Sequence, residues 1–305
     1  STTLTIDKAS VHAEGTWGVR GASGENEEKL IIKDSECSFK GSEASVAMLE
    51  EFSIENCVFA YPRVGHWDAE KHAIVNKDGL PVTETVRVEK YKKYGFTIAG
   101  TEVTNTNCEA LGSFSWVTLG DGGELSYDPA KEILTAKNVT ISSTGTPAID
   151  LSNAKNVKIL IEGECKLETI GAHALYNARK IEGTGTLYCT ATNGSAIYSD
   201  KFDLNVTGVQ IIAEAKGSSS YIFGIYLYNY NSVPHLYLSD GATVRAKGVY
   251  CSVCIHARNA TIVYPYNIRY VYGGYVEHPN GDNVTSEVWL GNKYDIRVAG
   301  IPVWD

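Results

Sequence analysis

The sequence predicts an all-β protein built as a right-handed parallel β-helix, or β-solenoid, with coils of roughly 22–32 residues. The first observation is a series of similar units that begin at Val157, Ile181, Leu204 and Leu236, so that their starts lie 24, 23 and 32 residues apart. Each unit alternates apolar and polar residues in short runs separated by turns that contain Gly. Because one unit cannot bury its apolar row alone, such repetition is typical of solenoids, in which neighbouring units stack.

The second observation is a triplet that recurs late in each unit: a small residue, an aliphatic residue and usually Tyr. It occupies residues 148–150, 174–176, 196–198, 224–226 and 248–250. Neighbouring side chains of a strand point to opposite faces, so an inward aliphatic residue places the next residue outside. The triplets therefore predict an outward column of Tyr176, Tyr198, Tyr226 and Tyr250, with rungs about 5 Å apart. Such a column either covers the strand backbone and aids stacking, or forms a binding surface.

Similar rungs occur throughout the chain. Residues 4–15 resemble residues 30–41, and both resemble residues 236–248. The segment 294–300 shares its first Tyr and its final Ala-Gly with the segment 94–100, which lies 200 residues earlier. We therefore predict three regions: a partial solenoid block over 1–92, a full block over 93–292, and a final segment, 293–305, that caps the stack or begins a further repeat. A cap is expected because an open solenoid end exposes strand edges.

Composition supports an all-β protein and argues against two classes of partner. The 305 residues include 29 Gly and 19 Tyr against 7 Phe, a balance typical of short strands joined by tight turns. The net charge is −9, with no cluster of Lys and Arg, so nucleic-acid binding has little electrostatic support. No stretch of 18 apolar residues occurs, and we predict no membrane span.

The seven cysteines do not form the pattern of a disulfide framework, because their number is odd and they are scattered. We expect them to be small buried residues of the stack. Cys251 and Cys254, followed by His256, have the spacing of a metal or redox motif. However, residues three apart on a strand face opposite sides, so we predict neither a metal site nor a cofactor here.

Two motifs carry a resemblance to a known class of protein. One is Gly-Thr-Leu-x-x-x-Ala-x-x-Gly-x-Ala-Ile-Tyr over 185–198, and the other is Leu-Ser-Tyr-Asp-Pro over 125–129 ahead of the strand 134–141. These rungs resemble secreted bacterial right-handed parallel β-helix proteins, similar to the carbohydrate-binding or adhesin-like solenoids of gut Bacteroidetes and clostridia. The resemblance implies a secreted or surface protein and contact with a polysaccharide or with a host surface glycan or protein. It carries over no catalytic residue.

The start of the chain also fits a secreted or cell-surface protein. No signal sequence is present, and a strand-like run over 4–6 begins almost directly after Ser1. We therefore expect a leader peptide to have been removed from a secreted or cell-surface protein.

Catalysis is not favoured by the arrangement of acidic residues. Lyase chemistry needs carboxylates around Ca²⁺ and a basic group, and glycoside hydrolysis needs two carboxylates at a fixed separation. No acidic residue recurs at one position of consecutive units. Asp150 occupies the first position of the column, and Tyr occupies that position in the later units. Asp200, Asp203 and Asp240 lie near expected turns. We therefore predict no catalytic residue.

The leading hypothesis is a non-catalytic binding or adhesion module with a glycan as the favoured ligand. The segment 221–230 holds four Tyr and one Phe, and aromatic rings suit both sugar and protein surfaces. Alternatively, these rings fill a packed cap. The predicted binding residues are Tyr176, Tyr198, Tyr226, Tyr228, Tyr230 and Tyr250. Two other functions stay open: a polysaccharide lyase or glycoside hydrolase, and a structural spacer of a surface protein.

Overall fold

The structure, a computed structural model, is nearly all β. It describes residues 2–22, 27–63, 65–218, 221–227, 234–254, 256–257, 260–264, 269–270, 276–292, 297–298 and 301–302. Strands account for 61% of the chain and form about nine turns of a β-solenoid with mostly parallel pairing. This confirms the predicted fold class. Contacts divide the chain into two compact units: unit 1 is Ser1–Lys92 with Thr104–Thr106, and unit 2 is Lys93–Val103 with Asn107–Asp305.

Unit 1 contains the first rungs. Its strands are β1 Thr3–Asp7, β2 Ser10–Arg20, β3 Lys29–Lys33, β4 Glu36–Ala47, β5 Glu51–Glu55, β6 Cys57–Tyr61, β7 His66–Asp68, β8 Ala73–Val75 and β9 Val86–Lys90. Strands β1, β3 and β5 pair in parallel, and β2 pairs in parallel with β4. Leu4 lies opposite Leu30, and Val11 lies opposite Cys37. The predicted likeness of 4–15 to 30–41 is therefore a true stacking of rungs.

Unit 2 contains the longer stack. Its strands are β10 Lys93–Ile98, β11 Thr101–Thr104, β12 Val117–Asp128, β13 Ile133–Thr144, β14 Ile149–Asp150, β15 Lys158–Glu162, β16 Glu164–Ile170, β17 Leu175–Tyr176, β18 Lys180–Gly183, β19 Thr186–Thr192, β20 Ile197–Ser199, β21 Leu204–Thr207, β22 Gln210–Lys216, β23 Phe223–Leu227, β24 His235–Ser239, β25 Thr243–Lys247, β26 Cys251–Cys254, β27 His256–Ala257, β28 Ala260–Tyr264, β29 Arg269–Tyr270, β30 Val276–Glu277, β31 Val288–Asn292, β32 Arg297–Val298 and β33 Ile301–Pro302. A 3-10 turn spans Leu111–Ser113.

Three columns of parallel strands run through unit 2. The first column is β13, β15, β18, β21, β24 and β27; the second is β13, β16, β19, β22 and β25; the third is β14, β17, β20, β23 and β26. The long strand β13 belongs to the first two columns, because its beginning pairs with β15 and its end with β16. Strand β12 covers β13 from the other side in antiparallel pairing.

The core is a set of aliphatic stacks inside these columns. In the first column Leu134, Ile159, Ile181, Val206 and Leu238 lie opposite one another in successive rungs, and each is at most 1% exposed. Equivalent residues are thus 22, 25 and 32 apart from Ile159 onward, within the predicted coil length. Such stacking removes each apolar side chain from water, at about 25 cal/mol per Å² of buried apolar surface.

The predicted alignment of unit starts is partly wrong. Ile181 lies opposite Ile159 and Val206, not opposite Val157 and Leu204. The error is two residues in each case, and a shift of two keeps every side chain on its face because the strand period is two. The prediction of which side chains face inward is therefore confirmed, although the residues predicted to lie opposite one another are wrong.

One turn shows why Gly recurs between strands. Gly163 joins β15 to β16 with φ +64°, and a Cβ atom there would lie 1.9 Å from Oδ1 of Asn138. That Oδ1 accepts a hydrogen bond from the N–H of Glu164 at 3.1 Å, while Nδ2 donates to the carbonyl of Asp121 at 2.9 Å. The Asn138 side chain thus bridges two neighbouring rungs, and only Gly fits beside it.

Three further findings bear on the predictions. All seven cysteines are buried free thiols, as expected. Within the described ranges, no helix is long and apolar enough to cross a membrane. Of the predicted final segment 293–305, the structure describes Arg297–Val298 and Ile301–Pro302, which pair as antiparallel strands.

The aliphatic stack predicts a large cost for a cavity at Ile181. We expect Ile181→Ala to lower the free energy of unfolding by about 2–5 kcal/mol, because its side chain is fully buried between two rungs. The matched control is Ile170→Ala on the outer face, where the side chain is 57% exposed and the change should stay within about 0.5 kcal/mol. Urea denaturation measures both, and equal losses would contradict the stacked core.

Candidate functional site

The third column of strands carries the predicted tyrosines. Tyr176, Tyr198 and Tyr226 lie opposite one another in β17, β20 and β23. The residue before each of them is at most 1% exposed, whereas the three tyrosines are half-buried. Alternation along each strand therefore points the aliphatic side chains into the core and the three tyrosines outward, as the triplets predict.

The rings of this column stack closely on one another. Ring centroids are 5.4 Å apart for Tyr176 and Tyr198, with planes at 62°, and 4.9 Å apart for Tyr198 and Tyr226, with planes at 15°. The His173 ring also stacks on Tyr198, at 4.4 Å and 18°. Since His173 is on the preceding rung and Tyr226 on the following one, both faces of the Tyr198 ring are covered. At the centre of the column, the Tyr198 ring therefore has no open face.

The predicted place of Tyr250 in the column is wrong. Cys254 lies opposite Tyr226 in the next rung, and Val253 lies opposite Ile225. The 248–250 triplet ends just before β26 begins. Its likeness to the other triplets therefore does not predict which residue of β26 lies opposite Tyr226. Instead, the Tyr250 ring lies 5.5 Å from Phe223. The other two predicted residues, Tyr228 and Tyr230, lie outside the described residues.

Residues three apart share the outer side where each third-column strand begins. His173 contacts Tyr176 with ring centroids 5.5 Å apart, and Phe223 contacts Tyr226 at 4.7 Å. Cys251 and Cys254 occupy the same two positions on the next rung and pack with Phe223 in one cluster. The argument that these two thiols must face opposite sides is therefore wrong, because the solenoid turns a corner here and strict alternation does not hold.

The two thiols are nevertheless unreactive. Burial raises the pKa of Cys254 to about 12, and burial also raises the pKa of Cys251. Both thiols are thus protonated near neutral pH, and a thiol binds metal and attacks disulfides only as thiolate. Across the described residues, no group of three or more His, Cys, Asp or Glu could hold a metal ion.

Tyr221 extends this aromatic surface and is its most exposed ring. Its side chain is 68% exposed, and its ring centroid lies 5.1 Å from that of Tyr250. Its φ is 71°, a left-handed conformation that is rare for bulky residues and costs about 1–2 kcal/mol. Such strain persists only where the surroundings impose it, and it is concentrated at functional sites. We call the seven rings the aromatic strip: His173, Tyr176, Tyr198, Tyr221, Phe223, Tyr226 and Tyr250.

Two carboxylates lie beside one end of the strip. Burial raises the pKa of Tyr176, and the negative charges of Asp200 and Asp150 raise it further. Sequence analysis found both acids but placed them in a column and a turn, without bringing them to the same tyrosine. They meet because a rung of about 25 residues returns the chain to the same corner, which adjacent sequence positions do not indicate.

A hydrogen-bond network fixes these two acids. Oδ1 of Asp150 accepts hydrogen bonds from the N–H and the hydroxyl of Ser152, at 2.8 and 2.5 Å. Asn177 donates from Nδ2 to that hydroxyl oxygen at 3.0 Å, and its Oδ1 accepts the N–H of Asp200 at 3.1 Å. Asn177 itself is fully buried. The network therefore ties three rungs together and holds a rigid acidic border next to Tyr176.

His173 is a structural member of the strip, which sequence analysis missed. Its Nδ1 accepts a hydrogen bond from the N–H of Ser195 at 3.1 Å. Burial lowers the pKa of the imidazole below its usual 6.5. A neutral ring that accepts at Nδ1 carries its proton on Nε2, so His173 has no free basic nitrogen for proton abstraction. Its position three residues before Tyr176 is the signal that could have identified it.

The fold and this surface define a parallel β-solenoid with an aromatic strip on one corner. Comparison of the chain with models of protein families, with curated proteins and with solved structures finds no match in any of the three.

The ring stack predicts that Tyr198 contributes to stability through its ring. We expect Tyr198→Ala to lower the free energy of unfolding by about 1–3 kcal/mol, because contacts on both ring faces are lost. Tyr198→Phe keeps the ring and should change stability by less than about 0.5 kcal/mol. Urea denaturation of both variants checks this. If Phe costs as much as Ala, the contribution comes from the hydroxyl and not from stacking.

The buried imidazole predicts a loss of stability in acid. Because the pKa of His173 is lower in the folded state, its contribution is present above about pH 6.5 and is lost as pH falls through the lower folded pKa. His173→Asn keeps an acceptor for the N–H of Ser195 but cannot take up a proton. We expect unfolding free energies measured at about pH 8 and about pH 5 to differ less in the variant. An identical pH dependence in both proteins would show that another group is responsible.

Proposed function

We propose that this protein is a non-catalytic binding or adhesion module, secreted or held at a cell surface, that binds a glycan along the aromatic strip. The observation that carries this proposal is the ring of Tyr221, which is 68% exposed while its backbone is held in a left-handed conformation. The same turn is left-handed on other rungs, where Gly171 and Asn193 occupy it. A bulky exposed ring at a turn that elsewhere carries Gly or Asn is better explained by contact with a ligand than by packing.

The geometry of the strip suits a sugar chain. The ring of Tyr221 can stack on the C–H face of a sugar, with Tyr250 behind it at 5.1 Å. Along the column, the half-buried rings of Tyr176, Tyr198 and Tyr226 recur at the spacing of the rungs, about 4.8 Å. Because the rings are already packed against one another, little side-chain entropy is lost on binding.

Location and partner follow from the sequence resemblance to secreted bacterial solenoids. In that setting the ligand is a polysaccharide or a host surface glycan. Multiple rungs of one strip allow a repetitive ligand to make repeated contacts, which raises the total affinity above that of a single contact.

One observation favours a second candidate, a polysaccharide lyase or glycoside hydrolase. The negative charges of Asp200 and Asp150 both raise the pKa of Tyr176, so both acids lie near the same tyrosine. Oδ1 of Asp150 and the N–H of Asp200 are tied into the Asn177 network, which fits a rigid border better than groups that transfer protons. We therefore retain catalysis as the alternative that the binding experiment must distinguish.

The test is binding to a panel of plant and host polysaccharides by the wild type, Tyr221→Ala and a matched control, Tyr91→Ala. Tyr91 is a 42% exposed tyrosine of unit 1, outside the strip. We expect Tyr221→Ala to weaken binding about tenfold, which corresponds to about 1.4 kcal/mol. The control should bind as the wild type does, and all three should unfold at the same temperature.

The same samples are read for released sugars and for absorbance of unsaturated products. Product formation would replace the binding proposal with the enzymatic one. If the wild type binds no polysaccharide, the spacer function takes precedence and the strip is a packing feature. Equal weakening by both substitutions would also contradict the proposal, since Tyr91 lies outside the strip.

A further inference from the structure

Unit 2 has a second concave surface that shares no residue with the aromatic strip. It lies on the outer face of the second column, where β13, β16 and β19 meet the indole of Trp116, and it encloses about 530 Å³. This is within the range of small-molecule sites, roughly 300–1,000 Å³. We call it the Trp116 groove.

The floor of the groove is two rows of side chains that cross three rungs. Strand register places them opposite one another as Ser142, Glu168 and Thr190 in one row, and Thr144, Ile170 and Thr192 in the other. All six line the groove. Because the rungs repeat at about 4.8 Å, each row offers a polar group or an apolar surface at a spacing comparable to the length of one pyranose unit.

The wall of the groove is an aromatic platform held from behind. The Trp116 ring stacks on Phe114, with centroids 5.0 Å apart and planes at 25°. Its carbonyl accepts a hydrogen bond from the N–H of Ser142 at 3.0 Å, which ties the wall to the floor. One face of the indole is thus covered by Phe114, while the ring lines the groove. Ile170, 57% exposed, adds a second apolar surface.

The polar groups of the groove are available to a ligand. Over the part of the chain that the structure describes, the hydroxyls of Ser142, Thr144, Thr190 and Thr192 have no hydrogen-bond partner in the protein, and Glu168 has no ion-pair partner. By contrast, the neighbouring hydroxyls of Ser143 and Thr169 donate to backbone carbonyls at 2.7 and 2.9 Å. The free hydroxyls both donate and accept, as sugar hydroxyls do.

The charge of the groove selects among sugars. Glu168 is the one charged residue among those that line it, and no Lys, Arg or His is among them. The nearby Lys166 interacts with Glu168 but is already paired with Glu164 at 2.7 Å. An acidic sugar would therefore bring a second negative charge close to the Glu168 carboxylate with no cation among the lining residues, which is unfavourable. An uncharged sugar meets hydroxyls, one carboxylate acceptor and an aromatic face.

We propose that the Trp116 groove binds an uncharged oligosaccharide that runs across the rungs of β13, β16 and β19. A sugar ring stacks on the indole of Trp116, and the following sugar units donate to Glu168 and exchange hydrogen bonds with Thr190 and Thr192. This site is independent of the aromatic strip, so it stands or falls separately from the function proposed above.

The test titrates the protein with neutral hexasaccharides of glucose, mannose and xylose, and with hexagalacturonate and hexamannuronate as acidic probes. Binding is followed by calorimetry and by tryptophan fluorescence. The variants are Trp116→Ala, Glu168→Gln and Thr192→Lys. Lys216 occupies the same row as Thr192 on the next rung, so a lysine is already accommodated on this face. Tyr221→Ala is included to separate binding by the strip from binding by the groove. The matched control is Tyr91→Ala, an exposed tyrosine of unit 1 that belongs to neither surface.

We expect at least one neutral hexasaccharide to bind and the acidic probes to bind at least tenfold more weakly. Trp116→Ala and Thr192→Lys should each weaken neutral binding tenfold or more, whereas Tyr91→Ala should leave it unchanged. Glu168→Gln should reduce the discrimination against the acidic probes.

Four outcomes would overturn the proposal. They are no binding of any neutral hexasaccharide, stronger binding of the acidic probes, unchanged binding in Thr192→Lys, and loss of binding in Tyr221→Ala alone. The last outcome would support the aromatic strip as the glycan site while removing the groove. If Trp116→Ala fails to fold, Thr192→Lys still decides the result.

Discussion

Parallel hydrogen bonding between successive rungs is the constraint on which the rest of this molecule depends. Within the three parallel columns of unit 2, each inner strand pairs with the strand before it and the strand after it. In-register pairing puts equivalent residues directly above one another, so each side chain contacts the equivalent side chain of the next rung. The aliphatic stack through Ile181, the tyrosine column and the hydroxyl rows of the groove all result from this single geometric rule.

The same rule explains how much of the fold could be predicted from the sequence. Alternation identifies which side chains of a strand share a face, and this holds for Ile181 in the core and for Tyr198 outside. Register could not be predicted as well, since coil length varies: Tyr198 follows Tyr176 by 22 residues, and Cys254 follows Tyr226 by 28. A triplet that resembles the others, as 248–250 does, can therefore lie outside the column.

Corners and irregular connections limited the prediction of the site. Where the chain turns a corner, residues three apart share the outer side, which brings Cys251 to Cys254 and His173 to Tyr176. A left-handed residue lies five positions before the column residue on four rungs, as Gly145, Gly171, Asn193 and Tyr221, so the turn itself repeats while the bulky side chain at 221 departs from the repeat. Trp116 precedes an antiparallel strand that lies outside the repeat, so periodicity could not connect it with the rows of β16 and β19.

These differences suggest that repeated and unrepeated aromatic residues have different roles in this protein. Tyr198, in a column where rings recur on three successive rungs, is covered on both faces by its neighbours and contributes mainly cohesion between rungs. A ring that breaks the repeat has no equivalent above or below it. Tyr221 and Trp116 are of this kind, and each is backed by one aromatic neighbour. Recognition of a sugar face needs an open ring face, so in a stacked fold we expect binding to depend on the residues that depart from the repeat, with the repeat holding them in place.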